Sequence, residues 1–482
     1  MQSASEVKYY VDCVSGSDAN DGLTSTTAWK HCPGDDNAET VSAGTTLTSG
    51  DTVCFKGGVE YNGRIDCDWS GSAVDCITYI SGDAITPAWG TGKAIIDGTD
   101  ISYDTASRGI FSVLASKDYI KIKGLTVRNA PEVEYTGNIG ISGGNNIAVE
   151  DCYIYGDGVG SQSMGGIYAE GIANFTGTDT PGNIIIQNNE ITAVVGHGVL
   201  LRKSIKDITI QNNEIHDVNL DAVTAWGCVS AGNDYIEDLT IKGNEMYNFP
   251  AKGYTLIIGT INAIIEDNYF HATGAVVNNF GIGITGNDTQ IIVRNNLFGR
   301  SPHHLGVIYL ETEQGDINDV EIYNNTVLGY GDGDAYVVRY YWIAGNIRNV
   351  TIKNNIFDSI WPTHQWEVFL TIPDKTGTYS DWNENFVCNY NIYGTGFVSK
   401  LFNVNGTEYT YAQWLTAEMG DTNSVGSQTD PSLDANGKPD NVADPVVDVG
   451  VDLSGTGFAD DKDGLTRPQG TIWDIGAYEY DQ

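Results

Sequence analysis

One eight-residue pattern recurs down the middle of the chain and limits its fold more than any other feature. It reads IIIQNNEI (184–191), ITIQNNEI (208–215), LTIKGNEM (239–246), AIIEDNYF (263–270), IIVRNNLF (291–298), VEIYNNTV (320–327) and VTIKNNIF (350–357). Weaker copies are IKIKGLTV (120–127), IAVEDCYI (147–154) and FVCNYNIY (386–393), and the copies are spaced by 24 to 37 residues. Apolar residues alternate with polar ones, the period of a strand. An Asn or Gly follows, then a second short apolar stretch. Asn tolerates the left-handed backbone that a tight bend requires. Asn repeated at one corner can also bond its amide to the next coil. One such coil cannot bury its apolar face alone, whereas stacked coils share a continuous core.

No leucine ladder and no 3.6-residue period is present, so the expectation is an all-β parallel β-helix. Residues 1–100 read as an N-terminal cap with the first turns, 101–393 as the core coils, and 394–482 as an irregular closing segment packed on the helix. Open ends of a β-helix expose unpaired strand edges, so both need covering.

Composition removes several alternatives. The 58 glycines among 482 residues have no three-residue period, which excludes collagen. Hydrophobic content of 41% is too high for a disordered polyanion. No apolar run reaches the ~18 residues of a membrane span. A net charge of −38 repels phosphate backbones, so nucleic acid is not an expected partner. The opening MQSASEVKYYVDC has no basic stretch followed by an apolar one; it reads as a mature secreted protein without its leader, or as a cytosolic or virion protein that never had one. High acidity suits salty extracellular water, where screening softens self-repulsion. Cysteines stand at 13, 32, 54, 67, 76, 152, 228 and 388, without CxxC spacing, which argues against zinc ribbons and thioredoxin-like motifs. Cys13/Cys32 and Cys67/Cys76 are spaced to close short disulfide loops, and Cys152 and Cys228 occupy apolar repeat positions as buried thiols.

Repeats of IxIxNNxI at this spacing resemble the right-handed parallel β-helix superfamily of pectate lyases, polygalacturonases and alginate or chondroitin lyases. The opening YYVDCVSGSDANDGLTSTTAW resembles the N-terminal cap of bacterial extracellular members, and DGLTRPQGTIWDIGAYEY (463–480) resembles their closing segment. The resemblance covers nearly the whole chain. It implies the fold and an extracellular carbohydrate-active protein; it does not fix the reaction, because one fold hosts many chemistries.

A second strand follows each Asn corner. These align as GGIYAEG (165–171), HGVLLRK (197–203), DAVTAWG (221–227), KGYTLII (252–258), FGIGITG (280–286), LGVIYLE (305–311) and DAYVVRY (334–340). The third and fifth positions are mostly apolar and should face the core, leaving the fourth and sixth outward. The first-position column brings His197, Asp221 and Lys252 onto successive coils about 4.8 Å apart. The sixth-position column brings together Glu170, Arg202 and Trp226, and later Leu310 and Arg339. Trp stacks on a sugar ring, Arg clamps a carboxylate, and His, Lys or Asp moves a proton. The structural alternative is a set of turn caps and surface ion pairs. The GHG around His197 resembles a polygalacturonase motif, but the preceding coil, GGIYA, lacks that family's paired aspartates.

Tyr168, His303, His304, Glu311, Arg339 and Tyr340 extend the expected substrate groove, together with Trp226. His303 and His304 are expected in a loop ahead of LGVIYLE. SDANDG places Asp18, Asn20 and Asp21 as a partial calcium loop or, alternatively, an Asx-turn. Calcium is the one cofactor considered, there or bridging a uronate carboxylate; no organic cofactor is expected, and the protein is expected to be a monomer.

Three functions compete. The first is a polysaccharide lyase that cleaves a uronate glycan by β-elimination. Lys252 would be the base, Arg202 the carboxylate clamp, and His197 the acid or alternative base, with Asp221 orienting Lys252 or holding calcium. The second is a glycoside hydrolase with Glu170 and Asp221, or Glu311 and Asp334, as its carboxyl pair. The third is a glycan-binding adhesin or tailspike-like protein, against which the lack of heptads counts.

Overall fold

The computed structural model describes residues 7–99, 101, 108–130, 133–156, 164–171, 180–227, 234–249, 253–272, 278–299, 303–328, 336–341, 345–358, 368–372, 385–394, 401–404, 406–417, 420–425 and 429–481. The chain forms two compact units, Met1–Glu237 and Asp238–Gln482. Each contributes coils of a right-handed parallel β-helix with three sheets. A representative coil runs through Gly182–Gln187 in the first sheet, Glu190–Thr192 in the third and His197–Arg202 in the second. It then re-enters the first sheet at Ile205–Gln211.

In-register stacking follows from the alternation. Ile147, Ile184 and Ile208 align across three coils, as do Val149, Ile186 and Ile210, and all six are at most 1% exposed. A one-residue slip would turn this column to solvent. The strand-like runs in the first hundred residues already belong to the helix. Thr52–Phe55 pairs with Lys8–Val11, and Ile95–Asp97 pairs with Glu60–Asn62.

The paired asparagines divide their labour. The first takes the left-handed bend: Asn188, Asn212, Asn295, Asn324 and Asn354 have φ between 50° and 56°. The second turns inward and builds a buried amide ladder. Asn189 Nδ2 donates to Asn213 Oδ1 at 2.9 Å in the first unit. In the second, Asn244, Asn268, Asn296, Asn325, Asn355 and Asn391 form a continuous run, each donating to the next at 3.0 Å. Each also receives or gives backbone hydrogen bonds, as where Asn296 N donates to Asn325 Oδ1 at 3.0 Å. The sequence pattern does not show a second left-handed corner, at Asn146, Asn183, Asp207, Asp238, Asn262, Asp319 and Asn349. It carries its own exposed links, such as Asn349 Nδ2 to Asp319 Oδ1 at 2.8 Å.

The C-terminal region does two jobs. Thr407–Tyr409 pairs antiparallel with Phe402–Val404, and the short helix Tyr411–Thr416 lays Trp414 flat on Phe402 at 4.2 Å between ring centroids. An antiparallel strand and a bulky helix end parallel addition at that edge. The remaining segment returns along the flank of the second unit and docks on the bend asparagines. Asn295 donates to Asp460 O, Asn324 to Asp474 O and Asn354 to Val451 O. The buried Arg467–Glu479 pair, 2.6 Å apart and wholly inaccessible, locks it, with Arg467 also donating to Gly476 O.

The cysteine expectation is corrected. Cys13, Cys32, Cys54, Cys67 and Cys76 are free thiols, and so are the buried Cys152 and Cys388; Cys228 lies outside the described residues. Among the described residues no helix is long and apolar enough to cross a membrane.

Candidate functional site

Three strands of the first unit, Gly165–Glu170, His197–Arg202 and Val223–Trp226, carry the candidate residues on the second sheet. The register sets Gly165 beside His197, Glu170 beside Arg202, and Arg202 beside Trp226. Third and fifth positions such as Val199 and Leu201 are inaccessible, as an inward face requires.

Strict alternation would send the first position inward with the third and fifth. It does not, because the alternation breaks near the start of the strand. A Cβ at Gly198 would lie 2.5 Å from Ile215 Cγ2, so the second position already faces the core. His197 is thereby turned to the side of Thr224, the second residue of the next strand. Its Nδ1 lies 2.7 Å from Thr224 Oγ1 and 3.3 Å from Asp221 Oδ2. Thr224 donates its one hydroxyl proton to Asp221 Oδ2 at 3.0 Å. The hydroxyl can then only accept from His197, so Nδ1 carries a proton. Asp221 and Thr224 are inaccessible and His197 is 7% exposed.

Five residues along the strands, about 16 Å at strand rise, is a second cluster. Glu170 accepts from Arg108 Nε at 2.7 Å, Lys203 Nζ at 2.6 Å and Tyr168 OH at 2.8 Å. Burial raises the Glu170 pKa, but Lys203, Tyr168 and Arg108 outweigh it and hold the carboxyl below its ordinary range. Burial, then the Glu170 charge, pushes the Tyr168 phenol up. Arg202 lies over two aromatic rings, its guanidinium carbon 3.8 Å from the Tyr135 centroid and 5.2 Å from that of Trp226. Its Nε is buried without a hydrogen-bond partner among the described residues. Trp226 is 39% exposed.

Tyr168 is inaccessible and acts through Glu170 rather than on a surface. The sequence reading missed Arg108, Tyr135, Lys203 and Thr224. Lys203 and Thr224 were visible as members of the aligned strands; Arg108 and Tyr135 lie ahead of strands whose register only the fold supplies.

The second unit corrects the alignment. Gly253, not Lys252, stands opposite Phe280, and Lys252 lies outside the described residues. Phe280 faces Gly306 rather than Leu305. Tyr309 faces Arg339, and Glu311 faces Tyr341, so Leu310 and Arg339 leave the sixth-position column. Tyr340 is a core residue beside Leu310, and both are inaccessible. A register shift between Asn278 and Phe280 accounts for Gly306 and Leu310, and a further one-residue offset between His303–Glu311 and Tyr336–Tyr341 accounts for Arg339 and Tyr340. His303 and His304 belong to the strand His303–Glu311, not to a loop; their side chains, and Asp334, lie outside the described residues. Phe280, Tyr309 and Tyr341 stack at 6.1 and 6.3 Å, with Arg339 5.7 Å from the Tyr309 centroid.

Asp18, Asn20 and Asp21 spend their donors and acceptors on the N-terminal turn. Asp18 accepts from the His31 backbone at 2.8 Å and contacts His31 Nδ1 at 2.8 Å. Asn20 donates to Ala28 O at 2.9 Å, and Asp21 accepts from Leu23 N at 3.1 Å and Thr27 Oγ1 at 2.6 Å. Among the described residues no group of three or more His, Cys, Asp or Glu is placed to hold a metal ion.

The class these coils define is the right-handed parallel β-helix. XylC, solved with xylose, is similar at a TM-score of 0.57 and 12% identity, over 98% of each chain. Pectate lyase Pel9A matches at 0.48 and 14%, over 99% of this chain and 97% of its own. The GH136 lacto-N-biosidase from Eubacterium ramulus matches at 0.47 and 11%, over 83% of this chain and 68% of its own. No family model matches the chain, and no curated protein matches it in sequence.

Proposed function

We propose that the protein is a secreted polysaccharide lyase that binds a uronate-containing glycan on the second sheet of its first unit and cleaves it by β-elimination. One observation carries this reading. Arg108 and Lys203 share the one Glu170 carboxylate, whereas Arg202 lies over two aromatic rings, one of them exposed. A guanidinium beside an exposed indole fits a sugar ring that bears a carboxylate. In a chain with 63 acids and 25 Lys and Arg, such an open positive charge suits an anionic ligand.

β-Elimination removes the proton alpha to the carboxyl, and the negative charge that develops there must be neutralised. Arg202 is assigned that role, so the reacting ring lies at Arg202. Lys203, positioned by Glu170, is assigned the proton transfer: its free amine takes the alpha proton, the bond to the leaving oxygen breaks as the double bond forms, and the resulting ammonium returns the proton to that oxygen. His197 Nε2, about 16 Å away along the strand, cannot touch the same ring; it is assigned to a ring bound further along the glycan. The same separation argues against the Glu170–Asp221 hydrolase pair, since such pairs act across no more than about 9.5 Å.

The test is to mix the protein with alginate, pectate and glycosaminoglycans and follow the ultraviolet absorbance of the conjugated uronate double bond, with and without EDTA. Rising absorbance is expected, and its loss in EDTA would assign a role to calcium. New reducing ends without absorbance would overturn elimination in favour of hydrolysis. Binding with neither product would make the protein a glycan-binding module.

A further inference from the structure

The second unit holds a cavity of about 760 Å³ that the reading above does not use. It lies between the third sheet, at Tyr269–His271 and Thr326–Leu328, and the returning C-terminal segment. One wall is aromatic: Tyr269 stacks on His271 at 4.3 Å, and His271 stacks on Tyr247 at 4.8 Å. Tyr478 also lines the cavity, buried in a cluster with Leu297 and Ala477 against which Tyr269 and Leu328 pack. Polar groups enter from both sides. The Asp358 carboxylate lies over Gly394, where a Cβ would come within 2.1 Å of Oδ1. Asp434 enters from the returning segment, and Lys438 sits 4.9 Å from the Tyr478 ring. Lys462 donates to Asp267 O, and burial, against nearby carboxylates, lowers its pKa to about 8.

We propose that this cavity binds a neutral, hydroxyl-rich ligand of one or two sugar units. Its volume falls in the range of small-molecule sites, about 300–1,000 Å³. The aromatic and aliphatic lining, Tyr269, Tyr478, Leu297 and Leu328, offers apolar surface to the C–H groups of a pyranose, and carboxylates accept from neighbouring hydroxyls. Carboxylates outnumber ammonium groups in the lining, so a uronate is disfavoured, and the two ammonium groups oppose a cationic sugar. The ligand class therefore differs from that assigned to Arg202, and the proposal does not rest on the elimination chemistry.

The experiment is calorimetric titration of the full chain with cellobiose, xylobiose and lactose, and with a digalacturonate as the acidic probe. At least one neutral disaccharide should bind saturably, equally in the native protein and in Arg202→Ala. Tyr269→Ala should weaken it about tenfold, and Leu328→Trp, which fills the cavity from its floor, should abolish it. Thermal melting confirms that the variants fold. The proposal is overturned if no neutral disaccharide binds the native protein, if both folded variants bind unchanged, or if digalacturonate competes for the same site.

Discussion

Arg202 and Glu170 occupy neighbouring positions of one row, yet their surroundings give them opposite roles. Glu170 is saturated by three donors, so it organises Lys203 and Arg108 rather than reacting. Arg202 lies over two π-systems and is the group assigned to the substrate carboxylate. Arg202→Ala should cut kcat/KM on an acidic glycan by about a hundredfold or more, as steady-state kinetics would show. Arg202→Lys should recover little, because an ammonium neither forks nor stacks like a guanidinium. Glu170→Gln should cost about 1–3 kcal/mol in urea unfolding, since it leaves cations without their counter-charge. The sign of its pH dependence follows from its lowered pKa. The stabilisation is present above the unfolded value of about 4.3 and disappears as pH falls through the lower folded value. An acid titration of native and Glu170→Gln proteins should therefore converge at low pH.

The amide ladder and the C-terminal cap show what single elements contribute. Asn296 is inaccessible and bonds to Asn268, Asn325 and the Ile265 carbonyl. Asn296→Ala should cost about 2–3 kcal/mol because partners on both sides are left buried and unsatisfied; denaturant unfolding measures it. In the cap, Asp421 accepts from Tyr393 OH at 2.8 Å and from the Ser424 hydroxyl. Burial, against those two bonds, pushes its pKa up to about 7. The carboxyl is protonated in both states below about pH 4. Its contribution to stability then declines as pH rises towards 7 and is flat beyond. Asp421→Asn should remove that decline, visible as a higher melting temperature relative to the native protein at pH 8 than at pH 4. The repeat made the existence of these elements legible, because a buried corner demands the same residue on every coil. It did not make the cap legible: Tyr393, Asp421 and Ser424 share no spacing or period and meet only through the fold.

For the whole molecule, the closing segment turns a stack of coils into a flanked body within the second unit. Arg467 and Glu479 are both inaccessible, with Asn295 Oδ1 3.2 Å from the Arg467 fork. Arg467→Ala should strand the Glu479 charge and cost about 3–5 kcal/mol. Limited proteolysis should then cut the segment after residue 429 while the coils survive. The sequence by itself determined the stacked-coil architecture, the ladder position and the Glu170–Arg202–Trp226 row, because a period-two apolar face and a recurring corner admit one register in regular coils. Tertiary structure alone decided where that regularity breaks. The core contact behind Gly198 turns His197 towards Thr224, the irregularity at Asn278–Phe280 moves Leu310 out of its expected column, and the offset of the next strand moves Arg339 and Tyr340. It also brought Arg108 and Lys203 to Glu170 and folded Tyr478 over Tyr269. Those contacts join residues up to about two hundred positions apart, and their partners are chosen by packing, which leaves no local trace in the chain.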